Sequence, residues 1–464
     1  MQKEGISIEL KNAPVLDPLF FPFEAYIRSY LKGAQKPVAV AVRRNDGLVS
    51  VFESKIYGTP EMAAADRLYL DRLAKLLLWL KGGCEIAVCG HEPAAKWLAQ
   101  AYRAGGEREF DWDFMSRVYE RPFAVEGLSL EDAPQEMENA QSAGGHLAGC
   151  RIGFDAGGSD RKVSAVIDGE SVYSEEVVWF PKQQEDPDYH YEGILAAFRT
   201  AASKMPRVDA IGVSSAGIYI NNRTMAASLF IKVPEKPFHE KAKDIYIRAA
   251  QEIGEDIPLI VANDGDVTAL AGAMSLGDTG ILGIAMGTSE AAGFVDGEGK
   301  ITGWLNELAF APVDLQSGAP VDEWSLDKGV GCKYFSQDAV IRLAPAAGIR
   351  LEESLSLAEK LKAVQALMED GDERAAKIFE TIGCYLGHTL PLYHRFYSMK
   401  HVLLMGRVTS GKGGDRLLAK AKAVLAEEYP EVAAAVNLQL PDERSRRVGQ
   451  SVAAASLPEC RKED

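Results

Sequence analysis

Apolar residues fall into two kinds of run along this chain. Val38 to Val42 (VAVAV) is followed by Asn45-Asp46-Gly47 and then by the apolar stretch Leu48 to Phe52. An Asp-Gly turn between two such runs predicts a β-hairpin. Ala63 to Leu80 places Leu68, Leu70, Leu73, Leu76 and Leu77 at helical spacing, and Glu85 to Cys89 reads as a buried strand. This is the cadence of an α/β domain, and it returns after residue 150. Arg151 to Asp155 predicts a strand that runs into Gly157-Gly158. Lys162 to Ile167 and Ser171 to Val178 predict two more, joined at Asp168-Gly169. A helix over 193–203, strand Ala210 to Ser214, strand Leu259 to Val261, helix Val267 to Met274 and strand Ile281 to Met286 follow. A hairpin-like piece covers Ala292 to Ile301, and a long helical stretch from Leu355 to about Tyr397 ends in strand His401 to Met405. Strands alternating with helices argue for mainly parallel sheets covered by helices.

The stretch Glu131 to Gly149 has no apolar period. It is acidic and then rich in Ala, Gly and Ser, so it reads as a linker over residues 131–149. It separates an N-terminal α/β domain, residues 1–130, from a larger region. VAVAVRRNDGLVSVFESKI and KVSAVIDGESVYSEEVV share strand, Asp-Gly turn and strand. The N-terminal domain is then either a diverged copy of the later lobe or an independent use of a common hairpin. A different strand order in the two regions would remove the first possibility.

Length and charge narrow the function. The chain has 464 residues, enough for two to four domains at roughly 100–200 residues each. Its 47% apolar and 25% charged residues are ordinary for a globular protein. A formal net charge of −16 argues against a general polyanion binder, so no nucleic acid partner is expected. The run Leu76 to Leu80, between Lys75 and Lys81, is too short to span a bilayer, so no membrane partner is expected either. The start of the chain lacks the long apolar core of a secretory signal, and six cysteines without a CxxC pair suggest no disulfide framework. A cytoplasmic protein with a small-molecule partner is expected.

Four segments are candidates for chemistry. In FDAGGSDRK a strand delivers Asp155, and Gly157, Gly158 and Ser159 offer backbone amides that phosphate oxygens can approach. A plain hairpin turn is the competing reading. In MGTSEAAG a second strand ends in Gly287, Thr288 and Ser289, with Glu290 inside the turn. A carboxylate beside a phosphate is unfavourable unless a cation intervenes. In VANDGDVTALAGA the strand end places Asn263 and Asp264 ahead of a helix. Asp264 there is either a helix N-cap or a general base at the carboxyl end of a sheet. In VLLMGRVTSGKGGD a buried strand leads into Gly406 and three more glycines, a turn that admits a flat ligand or a close helix.

The order of these segments says more than any one of them. Asp-x-Gly-Gly-Ser is followed by the turn Ser214 to Ile218, Asn-Asp before a helix, Gly-Thr after a strand, Asn-Glu-x-Ala, and a Gly-rich turn. In this order the chain resembles the ROK group of sugar kinases and related proteins. The resemblance covers about residues 150–456 and includes GQSVAAASL, similar to that group's closing helix. It implies an α/β, two-lobed actin-like ATPase (ribonuclease H-like) fold, to which the N-terminal α/β domain is an addition. The implied lobes are residues 150–258 and 259–445, with a C-terminal helix in 446–464 returning to the first lobe. The implied activity is ATP-dependent phosphorylation of a sugar hydroxyl. Asp264 would be the catalytic base, with Asn263 and Glu307 binding the sugar. Asp155, Gly157, Gly158 and Ser159 would form the first phosphate loop, Asp155 lying near Mg²⁺, and Gly287, Thr288 and Ser289 the second. Gly406 and its turn would contact adenosine. The two loops would lie on opposite lobes, and the resemblance suggests a homodimer.

The sequence also departs from that pattern. Phe310 stands where the group has a sugar- and zinc-binding His, and Tyr334 where it has a glutamate. The stretch matching the zinc loop, VDLQSGAPVDEWSLDKGVGCKYF, keeps only Cys332. One Cys without a nearby His cannot close a tetrahedral site, so no structural zinc is expected. These changes support an alternative, a nucleotide or sugar sensor that has lost turnover. His388 and His394 lie six positions apart, off the i, i+3 and i, i+4 spacings of one helical face, and read as surface or core residues. Trp304 and Trp324 read as packing residues near the sugar segment.

Overall fold

Val38, Ala39, Val40, Ala41 and Val42 are all buried, so the first strand has core on both faces. The computed structural model describes residues 1–138, 143–441 and 449–460. In it, strand Lys36–Arg43 pairs antiparallel with Val49–Ile56 across the Asn45–Gly47 turn, as the hairpin signal predicts. Asp46 sits there at φ +58 and Gly47 at φ +74, the left-handed geometry for which Asp and Gly suit such turns. Glu85–Cys89 joins the other side of Lys36–Arg43, also antiparallel, and Ala124–Leu128 completes the four-stranded sheet.

Helix Ala63–Lys81 is buried nearly all round over its second half, Leu73 to Lys81. A helix apolar on every side needs cover on every side. Part of that cover comes from far along the chain: Asn306 N–H and Glu307 N–H donate to the carbonyls of Leu80 and Trp79, each at 3.0 Å. Lys75, a polar interruption of the run, is buried too, with its ammonium 3.0 Å from Asp111 and 3.2 Å from Asp327.

The chain divides into two units. One comprises Met1–Asn139, Ile284–Ala292 and Trp304–Leu440; the other comprises Ala140–Gly283, Gly293–Gly303 and Pro441–Asp464. The N-terminal region is therefore built into the same unit as residues 304–440. Phe21 N–H donates to Asp314 Oδ1 and Phe23 N–H to the Val313 carbonyl. Asn12 carbonyl accepts from His388 Nε2 at 2.8 Å, and Phe20 packs on Tyr334 and Tyr385. His388 is thus a buried structural residue. The helical stretch after Leu355 is two helices, Leu357–Glu369 and Glu373–His394. Gly371 at φ +82 ends the first turn sequence, and Asp372 caps the second helix. This unit also holds the parallel pair His401–Met405 and Asn437–Gln439, in a sheet with Ile281–Met286 and Glu290–Val295.

The second unit carries a five-stranded sheet in the order Leu259–Asn263, Ala210–Ser215, Cys150–Ala156, Asp160–Ile167, Glu170–Val178. The first three strands are parallel and the last three form an antiparallel meander. Leu259–Asn263, which sequence reading grouped with the residues after it, belongs to this sheet. Helix Gln450–Ala455 lies on the central strands. A Cβ on Gly153 would fall 1.7 Å from the Ser451 carbonyl oxygen, and one on Gly212 1.7 Å from that of Ala454. Only glycine lets the helix backbone approach so closely.

The duplication reading does not survive this comparison. In the N-terminal sheet the first hairpin strand, Lys36–Arg43, has the later strand Glu85–Cys89 on its other side; in the second unit the matching hairpin strand, Asp160–Ile167, has the earlier strand Cys150–Ala156 there. The strand orders differ, so the shared Asp-Gly hairpin is a local solution used twice. The linker reading also changes. Met137 exchanges two backbone hydrogen bonds with Val49, Ala133 packs on the N-terminal sheet, and Glu138 accepts from Arg44 and Ser50. Beyond it, Gly144 and His146 donate to the Leu457 and Ser456 carbonyls. Residues 139–142 of the expected linker, and 446–448 and 461–464 of the expected C-terminal segment, lie outside the described residues.

Candidate functional site

Parallel pairing brings three strand ends together in the second unit. Asp155 is opposite Ser214, and Ser215 is opposite Asn263. Ser214 Oγ donates to Asp155 Oδ1 at 3.0 Å. Gln450 Nε2, from the closing helix, donates to Ser214 Oγ at 2.9 Å and to the Asp264 carbonyl at 3.0 Å. Gln450 therefore ties the strand carrying Ser214 to the turn carrying Asp264.

Asn263, not Asp264, is the cap of helix Asp264–Leu276: its Oδ1 accepts from Gly265 N–H at 2.7 Å. Its Nδ2 donates to the Gly217 carbonyl at 2.8 Å. Asp264 is the first helical residue and is released from capping, its Oδ1 accepting from Gly265 N–H at 3.0 Å. Burial pushes the Asp264 carboxyl above the usual aspartate range, against the pull of the Gly265 N–H and the Lys182 ammonium. Asp155 is pushed up to about 6, chiefly by burial and further by the negative charge of Asp264, while the Ser214 hydroxyl works the other way. Burial thus raises both carboxyls, and the charge of Asp264 raises Asp155 further.

The loop after Asp155 is braced from one side. Trp179 N–H donates to the Ser159 carbonyl at 3.1 Å, and its indole Nε1 donates to the Gly157 carbonyl at 2.7 Å. With both carbonyls drawn toward Trp179, the shape of the turn is held. Ser159 Oγ is engaged with Asp160 Oδ2 at 2.9 Å.

The other unit holds the remaining candidates. Gly287, Thr288 and Ser289 follow strand Ile281–Met286, with Thr288 and Ser289 exposed. Gly287 N–H donates to the Ser289 carbonyl, and its own carbonyl accepts from Gln337 N–H at 2.9 Å. Gly406, at φ +94, packs on the backbone of Met286: a Cβ there would fall 2.4 Å from the Met286 carbonyl oxygen. The structure thus brings Gly406 to the base of the Gly287–Ser289 turn. Gly413 and Gly414 serve packing, against Phe379 and the Thr409 carbonyl.

Glu290 does not face the loop's surface. Its carboxyl is turned inward, where a Cβ on Gly331 would fall 2.2 Å from Oε2, and neither oxygen has a hydrogen-bond partner among the described residues. Burial, and then the charge of Glu307, push it well above the usual glutamate range.

The segment around Glu307 packs against the N-terminal region. Phe310 packs on Trp79 with ring centroids 4.3 Å apart and on Phe110 at 5.7 Å. Tyr334 donates to Asp314 Oδ2 at 2.5 Å. Asp327 meets Arg72, Lys75 and Arg108 at 2.7, 3.2 and 2.8 Å. Cys332 is buried beside Asp322, and burial pushes its thiol up. Where the resemblance would put a zinc loop, this chain has an ion-pair and aromatic interface with its own N-terminal helices. Among the described residues no group of three or more His, Cys, Asp or Glu side chains is placed to hold a metal ion. No described helix is long and apolar enough to cross a membrane.

Sequence reasoning assigned no role to Ser214, Gln450 or Lys182. Ser214 and Gln450 become visible only when the strand register and the closing helix are known. Lys182 sits in a polar stretch with no motif around it.

No family model matches the sequence, and no curated protein matches it. Solved structures do match. A ROK hexokinase from Thermus thermophilus is 20% identical, with a TM-score of 0.51, covering 66% of this chain and 96% of that one. A ROK family transcriptional regulator, a homologue of the E. coli MLC protein, is 17% identical, with a TM-score of 0.50, covering 67% of this chain and 79% of that one. At these identities the likeness is one of fold. The chain has the α/β, actin-like ATPase fold of the ROK kinases and regulators.

Proposed function

We propose that this protein is a kinase that transfers the terminal phosphate of ATP to the hydroxyl of a sugar or sugar-like acceptor. The observation that carries the reading is Asp264: a half-buried carboxyl with raised pKa, at the carboxyl end of a parallel sheet and directly after the capping Asn263. Phosphoryl transfer asks the protein for positioning and for a group to accept the hydroxyl proton. Asp264 accepts that proton. Asn263, with one N–H and one lone pair left after its two backbone contacts, orients the acceptor, together with Glu307. The braced loop Gly157–Ser159 and the turn Gly287–Ser289 bind phosphate, and Gly406 lies under the second of them.

Mg²⁺ sites of this kind use one or two carboxylates plus substrate phosphates, and a single strand-end carboxyl, Asp155, fits that donor set. The ion supplies neutralisation of the phosphate charge. Ser214 and Gln450 hold the Asp155 carboxyl in place through one hydrogen-bonded chain.

A second reading, nucleotide or sugar sensing without turnover, is favoured by Phe310, which is committed to the Trp79 and Phe110 cluster. The test is ADP release by the purified protein with Mg²⁺ across a panel of sugars and amino sugars, beside Asp264→Asn. Acceptor-dependent release that the variant lowers about 10²- to 10⁴-fold, with nucleotide affinity kept, supports the kinase. ATP binding with no release from any acceptor supports the sensor.

A further inference from the structure

The segment Trp179–Gln183 does more than brace the first loop. Trp179 holds Gly157 and Ser159 from below. Pro181, buried, begins a short turn over Pro181–Gln183, and its carbonyl accepts from the buried His190 Nε2 at 3.0 Å. These contacts fix the backbone of Lys182, whose side chain then reaches across the loop. A Cβ on Gly158 would lie 2.9 Å from Lys182 Cε and 3.1 Å from its Nζ.

The neighbouring cations of this sheet edge are already committed. Lys162 lies within 3.7 Å of Asp160 and Glu176, and Arg161 stands over the Trp179 ring. Lys182 makes no hydrogen bond or ion pair with any described residue. It is exposed, yet its charge is felt at Asp264. An unpaired ammonium beside a glycine turn, on a backbone held by the contacts of Trp179 and Pro181, is suited to one class of ligand, a phosphate held by that turn.

We propose that Lys182 is a phosphate-binding residue, whose ammonium takes an oxygen of the terminal phosphate of the nucleotide seated on Gly157–Ser159. This rests on the kinase reading for the identity of the nucleotide. It does not need turnover. The absence of a side chain at Gly158 is then a requirement of the site: a Cβ there would displace the lysine from the loop. Lys182 also adds positive charge at a site whose two carboxyls, Asp155 and Asp264, would otherwise repel a polyphosphate.

The experiment is calorimetric titration of the full chain with AMP, ADP and ATP, and separately with inorganic phosphate, for wild type, Lys182→Met and Lys182→Arg. Thermal unfolding of each variant checks that the fold is kept. The expected result is that Lys182→Met weakens ATP about 10- to 100-fold, as for loss of a charge-assisted hydrogen bond. AMP should change little, and Lys182→Arg should recover part of the loss. Equal ATP affinities for wild type and Lys182→Met overturn the proposal. So does equal weakening of AMP, ADP and ATP, because the lysine would then not read a terminal phosphate. A wild type that binds none of these ligands also overturns it. Wild type that binds ATP but phosphorylates no acceptor defeats the kinase reading alone, and the comparison of variants still decides the role of Lys182.

Discussion

Replacing Asp155 by Asn should make this protein more stable as it removes function. The Asp155 carboxyl is half-buried at the end of its strand and is pushed up to about 6, mainly by desolvation. In the unfolded chain an aspartate titrates near 3.9. Between about pH 4 and 6 the folded protein holds a proton that the unfolded chain gives up, so stability falls as pH rises through that window. A shift of about two pH units corresponds to about 3 kcal/mol of destabilisation at pH 8, and to less than about 1 kcal/mol at pH 4. Asparagine keeps an oxygen to accept from Ser214 Oγ and carries no charge to desolvate. The variant should therefore gain up to about 3 kcal/mol at pH 8 and little at pH 4, with the gain growing as pH rises. Hydrogen exchange of the amides of Cys150–Ala156, measured at pH 5 and 8 with correction for intrinsic rates, reads the opening of this sheet without requiring the whole chain to unfold at once. A gain independent of pH, or a loss at pH 8, would refute the reasoning. It would mean that the Asp155 carboxylate is solvated or compensated in the folded state.

Other outcomes follow from the same structure. The acid limb of the pH–rate profile should lie above the ordinary aspartate range, because burial raises Asp264 and activity needs its ionised form; a limb at or below pH 4 would exclude Asp264 as base. Gly212→Ala should destabilise the five-stranded sheet by at least about 1–3 kcal/mol and release Gln450–Ala455, whose Ala454 carbonyl it would strike; exchange protection of that helix reports the loss. Asp327→Ala leaves Arg72, Lys75 and Arg108 without their shared anion and should cost about 3–5 kcal/mol, read as a lowered urea midpoint of the unit containing the N-terminal region.

Much of the local structure was legible along the chain. The Asn45-Asp46-Gly47 turn, the strand ending at Asp155, the Asn263-Asp264 helix start and the strand before Gly287 are each written in a few adjacent residues. Local backbone preference and side-chain period decide such elements. The order of those segments also carried the fold class: the strands ending at Asp155, Ser215 and Asn263 follow one another along the chain as they do across their sheet, and the strands before Gly287 and Gly406 are neighbours in the next.

What the tertiary structure alone decided is where distant residues meet. Nothing adjacent to Phe310 marks it as a partner of Trp79 and Phe110, and nothing adjacent to Asp327 marks it as the counter-charge of Lys75. Those pairings give residues 1–138 a structural place among 304–440, whereas composition had suggested a separate domain on a linker. Asn263 rather than Asp264 is the cap because capping depends on φ and ψ at the helix start, which residue type alone leaves open. Lys182 reaches the site from outside its motifs, and Gln450 from the closing-helix segment, far along the chain from the strands it joins. Both side chains are long, so what they meet is set by the strand register and by a glycine carbonyl held by a tryptophan. Local residue patterns set the elements and their order; burial and long-range pairing decided which carboxyls are raised and which ammonium is left unpaired.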